Sequence, residues 1–116
     1  MSERRRHPRT PAKPRVPVVC EIARGDTTIE AVVVDISLGG IGTLVYDPSI
    51  QLDPGTRLAG ARIHYPKREP FVVNMEVRHV ALVTLPDGLP ANRAGCRLIG
   101  AQEDIEELVR LFLADL

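Results

Sequence analysis

Aromatic residues are scarce in this chain of 116 residues, which holds two phenylalanines, two tyrosines and no tryptophan. A hydrophobic core therefore has to be built from the valine, leucine, isoleucine and alanine that make up most of the 44% apolar fraction. The same scarcity argues against a protein that binds single-stranded nucleic acid, because such proteins stack the bases on aromatic side chains. We therefore expect neither DNA nor RNA as a partner, and one small domain at this chain length.

Cysteines and long apolar runs are rare as well. Cys20 and Cys96 both fall in apolar runs typical of strands, and we expect them to be buried free thiols. Two thiols and three scattered histidines do not make a metal site. No apolar run approaches the ~20 residues of a membrane-spanning helix, and the arginine-rich N-terminus lacks the apolar stretch of a signal peptide. We expect no metal, no membrane insertion and a cytoplasmic location.

The residue groups that catalysis requires are also missing. The sequence shows no nucleophile paired with a base and no phosphate-binding glycine-rich loop. Asp35 and Ser37 lie close together but have no histidine near them in the sequence. We therefore expect a protein that is not an enzyme.

Charge is balanced overall but strongly uneven along the chain. Residues 1–15 carry six basic side chains and one acidic one, whereas the remaining residues carry nine basic and fourteen acidic ones. A basic arm on an acidic body indicates an anionic partner for the arm. Thirteen of the fifteen cations are arginine, which favours forked contacts with phosphates and base edges. Charge alone leaves two alternatives open, a solvated tail and an arm docked on its own acidic body.

Short runs of strand-like residues, separated by turn-forming residues, predict a mostly β protein that is a small antiparallel barrel or sandwich. The predicted strands are 16–23, 27–34, 41–46, 57–65, 71–85 and 95–100, with turns or loops at 35–40 and 85–94. From Asp104 onward the apolar residues follow the i, i+3, i+4 spacing of an amphipathic helix. Residues 1–15 contain three prolines and no apolar periodicity, so we expect an irregular, mobile arm before a barrel domain at 16–116.

The first motif in the arm places Arg5 and Arg9 four residues apart, with Pro8 between them and Arg4 just before. Arginine bonds bidentately to the O6 and N7 atoms of guanine, and it grips phosphate oxygens through charge-assisted hydrogen bonds. Because Pro8 disfavours a helix here, the two arginines are expected to straddle a compact ligand. The alternative is a solvated basic tail.

The second motif is Asp35-Ile36-Ser37-Leu38-Gly39-Gly40. Asp and Ser beside glycines form tight turns by bonding nearby backbone N–H groups, which is a purely structural interpretation. In the functional interpretation, the carboxylate of Asp35 accepts N–H groups of a guanine edge and the hydroxyl of Ser37 bonds a phosphate or base. Gly39 and Gly40 then let the ligand approach the backbone closely.

The two motifs together resemble those of the PilZ domain, the bacterial receptor module for the second messenger cyclic di-GMP. That family pairs an RxxxR motif with a downstream (D/N)xSxxG motif, here Arg5–Arg9 and Asp35–Gly40, and the resemblance covers the whole chain. It implies a six-stranded antiparallel β-barrel with a C-terminal helix. It further implies that Arg5 and Arg9 clamp phosphates and guanine, with Arg4 as an accessory cation. Asp35 and Ser37 would then read a guanine, and Gly39 and Gly40 would keep the surface open.

The resemblance implies a receptor with cyclic di-GMP as its ligand. We expect the arm to become ordered on the barrel when the ligand binds, which creates a new surface for a partner. An effector protein of the flagellar motor or of polysaccharide synthesis would fit such a role, with motility or biofilm formation as the regulated process. Homodimerisation stays open. The alternative is a protein-interaction module of the same fold that works without a ligand.

Three stretches, VVDISLGGIG, MEVRHV and GCRLIG, resemble the C-terminal half of the flagellar brake proteins. Those proteins carry a further N-terminal barrel domain, so the chain is either a stand-alone PilZ protein or a domain excised from a longer one. Arg78, His79 and Arg97 lie in these stretches, and we interpret them as outward-facing strand residues.

Overall fold

The computed structural model describes residues 10–11, 18–47 and 49–114. Within these residues it contains β1 (Thr10–Pro11), β2 (Val19–Arg24), β3 (Thr27–Ser37), β4 (Gly40–Val45), β5 (Arg57–His64), β6 (Phe71–Thr84), β7 (Pro90–Ile99) and α1 (Gln102–Ala114). The predicted arginines Arg4, Arg5 and Arg9 lie outside the described residues.

Strands β2 to β7 form a closed antiparallel barrel. The sheet runs in the order β1-β3-β2-β5-β6-β7-β4, and an additional pairing of β3 with β4 joins its ends. Strand β1 lies outside the six-stranded ring and pairs only with β3 among the described strands. The predicted six-stranded barrel with a C-terminal helix is confirmed, and closure into a barrel decides against the sandwich.

The barrel interior is filled mainly by aliphatic side chains, as the scarcity of aromatic residues predicts. The largest fully buried side chains of the barrel strands include Ile22, Ile36, Ile41, Ile63 and Met75. Cys20 and Cys96 are free and buried, which confirms their prediction as core thiols. Burial raises the pKa of the Cys20 thiol to about 12 and that of Cys96 to about 11, so both stay protonated and unreactive at neutral pH.

Helix α1 packs its apolar face against the barrel core. Its residues Ile105, Leu108 and Phe112 are buried at the predicted helical spacing. Tyr65, directly after β5, meets the Phe112 ring edge-on with 5.7 Å between ring centroids. The Tyr65 hydroxyl also donates a hydrogen bond to the Leu111 carbonyl at 3.0 Å. These contacts tie the helix to the barrel by a polar anchor as well as by apolar burial.

The strand boundaries differ from prediction at two places that matter for the site. Strand β3 continues through Ser37, so Asp35 and Ser37 lie in a strand and only Leu38 and Gly39 form the turn. Strand β7 begins at Pro90, inside the predicted loop 85–94, because it pairs with the whole second half of β6. Proline is tolerated there since it is the first residue of the strand.

A third difference falls within the segment that was predicted to be irregular. Thr10 pairs with Ile36 and Pro11 pairs with Asp35, in an antiparallel two-residue strand. The proline content predicted no strand here. An edge strand tolerates proline, however, because N–H groups on its outer side have no neighbouring strand to bond. This short pairing places the described end of the arm against the second motif.

Candidate ligand-binding site

Asp35 projects from β3 onto the outer surface of the barrel. A bulge between Val33 and Asp35 shifts the register of β3 against β4. Without that extra residue, strict alternation after the buried Val33 would turn Asp35 into the core. The bulge instead buries Ile36 and leaves 13% of the Asp35 side chain exposed.

An ion pair fixes the direction of the Asp35 carboxylate. Arg93, on β7, donates from Nη2 to the Asp35 Oδ2 atom at 2.7 Å. Arg93 was not predicted as a site residue, because residues 85–94 were assigned to a loop. Arg93 and Asp35 lie 58 residues apart, so no local pattern in the sequence links them.

Gly42 forms the floor beneath this carboxylate. It lies directly opposite Asp35 in the β3–β4 ladder. A Cβ atom at position 42 would lie 2.7 Å from the Asp35 Oδ1 atom and 3.0 Å from its Cγ atom, closer than real Cβ atoms approach. Glycine is therefore required for the carboxylate to lie across the backbone of β4. Gly42 could have been found in the sequence from its two-residue spacing to Gly40, because residues two apart lie on one face of a strand.

The other residues of the second motif build the tight hairpin between β3 and β4. The Ser37 side chain is buried, and its Oγ atom accepts a hydrogen bond from the Gly39 N–H group at 3.3 Å. Gly40 begins β4 directly opposite Ser37. The structure thus brings Asp35, Ser37, Gly39 and Gly40 together, and Ser37 has the local turn contact that its structural interpretation predicts.

Strand β1, which directly follows the arginine motif in the sequence, pairs with the strand that carries Asp35. Arg4, Arg5 and Arg9 lie outside the described residues, but Arg9 directly precedes Thr10 in the sequence. Thr10 and Pro11 pair with Ile36 and Asp35, and paired strands lie about 4.8 Å apart. The two residues that directly follow the first motif therefore lie beside the end of β3 that carries Asp35.

Arg97 borders the site on the side of β7. It lies opposite Gly40 in the β4–β7 ladder. Its guanidinium donates two hydrogen bonds to the Glu76 Oε1 atom, from Nε at 3.2 Å and from Nη2 at 3.0 Å. With Arg93 four residues earlier on the same strand, the outer face beside the hairpin carries two arginines. Both are positioned by a carboxylate.

A groove of about 530 Å³ elsewhere on the barrel is a poor candidate for an anionic ligand. It lies between β2, β3 and the segment after β4. Glu21, Glu30 and Asp47 line it, so the surrounding charge is acidic. The face around Asp35, with Arg93 and Arg97, offers the cations that the groove lacks.

A family model decides what kind of domain carries this arrangement. The PilZ domain model matches residues 3–115, nearly the whole chain. The chain belongs to the PilZ family. The family assignment made from the two motifs is thereby confirmed.

Two curated relatives of this PilZ domain are flagellar brake proteins. The flagellar brake protein YcgR of Thiobacillus denitrificans is 25% identical over 118 residues, covering 98% of this chain and 46% of the relative. The YcgR of Methylotenera mobilis is 30% identical over 108 residues, covering 84% of this chain and 42% of the relative. The chain thus spans less than half the length of these relatives.

Solved structures share the fold at lower identity. The PilZ domain with c-di-GMP of YcgR from Escherichia coli superposes with a TM-score of 0.79 at 22% identity, covering 97% of this chain and 91% of that chain. The K. pneumonia MrkH–c-di-GMP complex gives a TM-score of 0.87 at 19% identity, covering 99% of this chain and 54% of that chain. These likenesses establish that the barrel is of the PilZ type.

Two other kinds of site are absent from the described ranges. No group of three or more His, Cys, Asp or Glu side chains there is arranged to hold a metal ion. None of the helices in those ranges has the length and apolar character to cross a membrane. The cytoplasmic location stays a prediction.

Proposed function

We propose that this PilZ domain is a receptor for cyclic di-GMP. The observation that carries the proposal is the pairing of β1 with β3, which sets Pro11 opposite Asp35. This pairing places Thr10 and Pro11, which directly follow the RxxxR motif in the sequence, beside the strand that carries Asp35. A ligand that carries both phosphates and guanine bases needs cations and a base-edge acceptor side by side, and the two motifs would supply both.

Asp35 is the base-reading group in this proposal. Guanine presents N–H donors on its Watson–Crick edge, and an ionised carboxylate only accepts. The Arg93 contact at 2.7 Å orients the Asp35 carboxylate on the outer face of the barrel. A pre-oriented acceptor saves the entropy of fixing a mobile side chain on binding.

The arginines supply the anion-binding half of the site. Arg5 and Arg9 each contribute a planar guanidinium that bonds phosphate oxygens or the O6 and N7 atoms of guanine bidentately. Arg4 adds a further cation. Gly39 and Gly40 have no side chains to obstruct the ligand, and Ser37 shapes the hairpin that presents them.

Similar proteins support both cyclic di-GMP as the ligand and the proposed regulated process. The similar E. coli and K. pneumonia structures are described as holding c-di-GMP, and the curated relatives are named flagellar brake proteins. We accordingly propose that ligand binding here regulates motility or a biofilm-related process through an effector protein.

Calorimetric titration with a panel of nucleotides tests the proposed ligand. We expect saturable binding of cyclic di-GMP with micromolar or tighter affinity, since several charge-assisted hydrogen bonds of roughly 1.5–3 kcal/mol each contribute. Cyclic di-AMP is expected to bind far more weakly, because adenine lacks the O6 acceptor and the N–H pattern that Asp35 accepts. A folded protein that binds no cyclic di-GMP contradicts the proposal and leaves the alternative of a ligand-independent interaction module.

We also propose that the ligand orders the arm and thereby creates the partner surface. The arm is rich in arginine and proline, and the described pairing holds it to β3 at only two residues. A ligand held between the arm and the Asp35 hairpin would add contacts to both. Order gained on binding is a common form of switch, and the newly fixed arm is what a partner would recognise.

Limited digestion with trypsin measures this ordering. We expect cyclic di-GMP to slow cleavage after Arg5, Arg6 and Arg9 by about tenfold or more, as cleavage follows the population of the open arm. Cleavage after Lys67, in the exposed turn between β5 and β6, serves as the internal control and is expected to be unchanged. Equal cleavage of the arm with and without saturating ligand would contradict the switch while leaving the receptor proposal standing.

A further inference from the structure

The second half of β6 extends beyond the strand that pairs with it on one side. Strand β5 pairs with β6 only over residues 71–76, and the Gly55 N–H group bonds the Val77 carbonyl just beyond them. Strand β7, by contrast, pairs with β6 as far as Thr84. Within the described part of the chain, residues 80–84 therefore have a neighbouring strand on one side only. We call residues 80–84 the β6 edge.

Alternate residues of the β6 edge direct their backbone groups away from β7. The Leu85 N–H group donates to the Leu89 carbonyl at 2.8 Å, and the register of β6 on β7 is regular from here back through the edge. Along an antiparallel ladder, opposed residues alternate between pairs that bond each other and pairs that do not. Because Leu85 bonds across to β7, the N–H and C=O groups of Val80, Leu82 and Thr84 point to the open side. None of these groups has a backbone partner among the described residues.

The β6 edge lacks the features that usually protect an open strand. Natural sheets protect their edges with charged side chains, proline, bulges or a covering segment. Residues 80–84 read VALVT, with no charge and no proline, and the bulge of β6 lies before them, between Val77 and His79. Leu82, at the centre of the edge, is 69% exposed. The edge is therefore apolar, rich in residues that favour strands, and open to pairing with a further strand.

Opposite charges lie at the two ends of the β6 edge and indicate what pairs with it. Arg78 precedes the edge, Asp87 follows it in the turn to β7, and both are exposed. Two copies of the chain paired antiparallel bring the Arg78 end of each copy beside the Asp87 end of the other. With the pair centred on Leu82, the two Leu82 residues bond each other, and Val80 of each copy bonds Thr84 of the other. The edge is thus complementary to itself in backbone bonding, apolar contact and charge.

We propose that the β6 edge is a dimerisation surface, at which two copies of this domain pair β6 with β6 across a two-fold axis at Leu82. Such an interface is isologous, since the same residues contribute from both copies. The inference goes beyond the proposed function and does not depend on a bound ligand. A contact limited to one short edge is smaller than the roughly 800 Å² per partner of a standard stable interface. We therefore expect a weak dimer, with a dissociation constant between micromolar and millimolar.

Sedimentation equilibrium of the whole chain without nucleotide tests the inference. We expect the wild-type protein to pass from monomer to dimer between micromolar and millimolar concentration. Leu82→Pro removes only an N–H group on the open side, where a strand tolerates proline. It is expected to raise the dissociation constant by about 5- to 100-fold, through the loss of one hydrogen bond from each copy. Leu82→Lys sets like charges opposite each other and is expected to abolish the dimer.

The matched control is Val72→Lys. Val72 is 60% exposed on the same strand, but it lies where β5 covers the edge of β6. We expect this variant to dimerise as the wild-type protein does. A wild-type protein that stays monomeric up to millimolar concentration would overturn the inference and leave the β6 edge to an extended strand of another protein. A dimer that both Leu82 variants form as tightly as wild type would also overturn it, because a different surface would then hold the two copies.

Asp87→Asn in two backgrounds tests the antiparallel arrangement. Asparagine keeps a side-chain oxygen for the Leu89 N–H group, which donates to the Asp87 Oδ1 atom at 3.0 Å. In the wild-type background we expect the substitution to weaken the dimer about two- to tenfold, because it removes an attraction to Arg78 at each end. In an Arg78→Glu background we expect it to strengthen the dimer, because it removes a repulsion. A change of the same sign in both backgrounds would overturn the antiparallel pairing.

Discussion

Replacing Arg5 or Arg9 with alanine is expected to weaken cyclic di-GMP binding by at least about 100-fold. Each guanidinium would make two charge-assisted hydrogen bonds of roughly 1.5–3 kcal/mol each to phosphate or guanine, and every 1.4 kcal/mol is tenfold in affinity. Loss of one arginine would also remove contacts that are proposed to order the arm. Calorimetric titration of each variant against the wild-type protein measures the loss.

The matched control for these variants is Arg62→Ala. Arg62 is an exposed arginine on β5, which lies across the barrel from the Asp35 hairpin, so its removal changes the net charge equally. We expect wild-type affinity in this control. If Arg5→Ala and Arg62→Ala lose affinity to the same small extent, the arm acts only through overall charge and the clamp is refuted.

Replacing Leu108 with alanine is expected to lower the free energy of unfolding by about 2–5 kcal/mol. Leu108 is fully buried where α1 packs on the barrel core. The substitution removes apolar contacts and leaves a cavity, and a small domain has only about 5–15 kcal/mol of stability in total. Equilibrium denaturation with urea, followed by circular dichroism, measures the change.

Leu113→Ala is the control on the same helix. Leu113 is 52% exposed, whereas Leu108 is fully buried. We expect its substitution to change the free energy of unfolding by no more than about 0.5 kcal/mol. Equal destabilisation by the two variants would contradict the assignment of the buried face of α1.

Much of the fold could be predicted because its signals are local. The alternation of aliphatic residues predicted the six barrel strands. The change to a helical spacing of apolar residues predicted the helix with Ile105, Leu108 and Phe112 on its buried face. Cys20 and Cys96 could be assigned to the core from the apolar runs around them. In each case the neighbouring residues alone carry the information.

The parts of the candidate site that could not be predicted from the sequence depend on contacts between distant segments. Arg93 reaches Asp35 across β4, and neither residue reveals the other in the sequence. The bulge before Asp35 breaks the alternation of a regular strand, since Asp35 shares the parity of the buried Val33. Gly42 matters only because the Asp35 side chain from the next strand lies over it.

The bulge before Asp35 also bears on how the site is built. Asp35 leaves the core only because one extra residue precedes it, and Ile36 is buried behind it instead. In the proposed function, the barrel wall would carry the base-reading half of the site and the arm would carry the charged half. Recognition and switching would then fall on different segments.

The most direct test of the central claim is a calorimetric titration of Asp35→Ala with cyclic di-GMP. Asp35 lies opposite Pro11 in the β1–β3 ladder and forms an ion pair with Arg93. We expect its loss to weaken binding by about 10- to 100-fold, the share of one charged hydrogen-bond acceptor. Asp53→Ala, at an exposed acid in the loop before β5, is expected to bind as the wild-type protein does. Affinity in a folded Asp35→Ala protein equal to that of wild type would contradict the account.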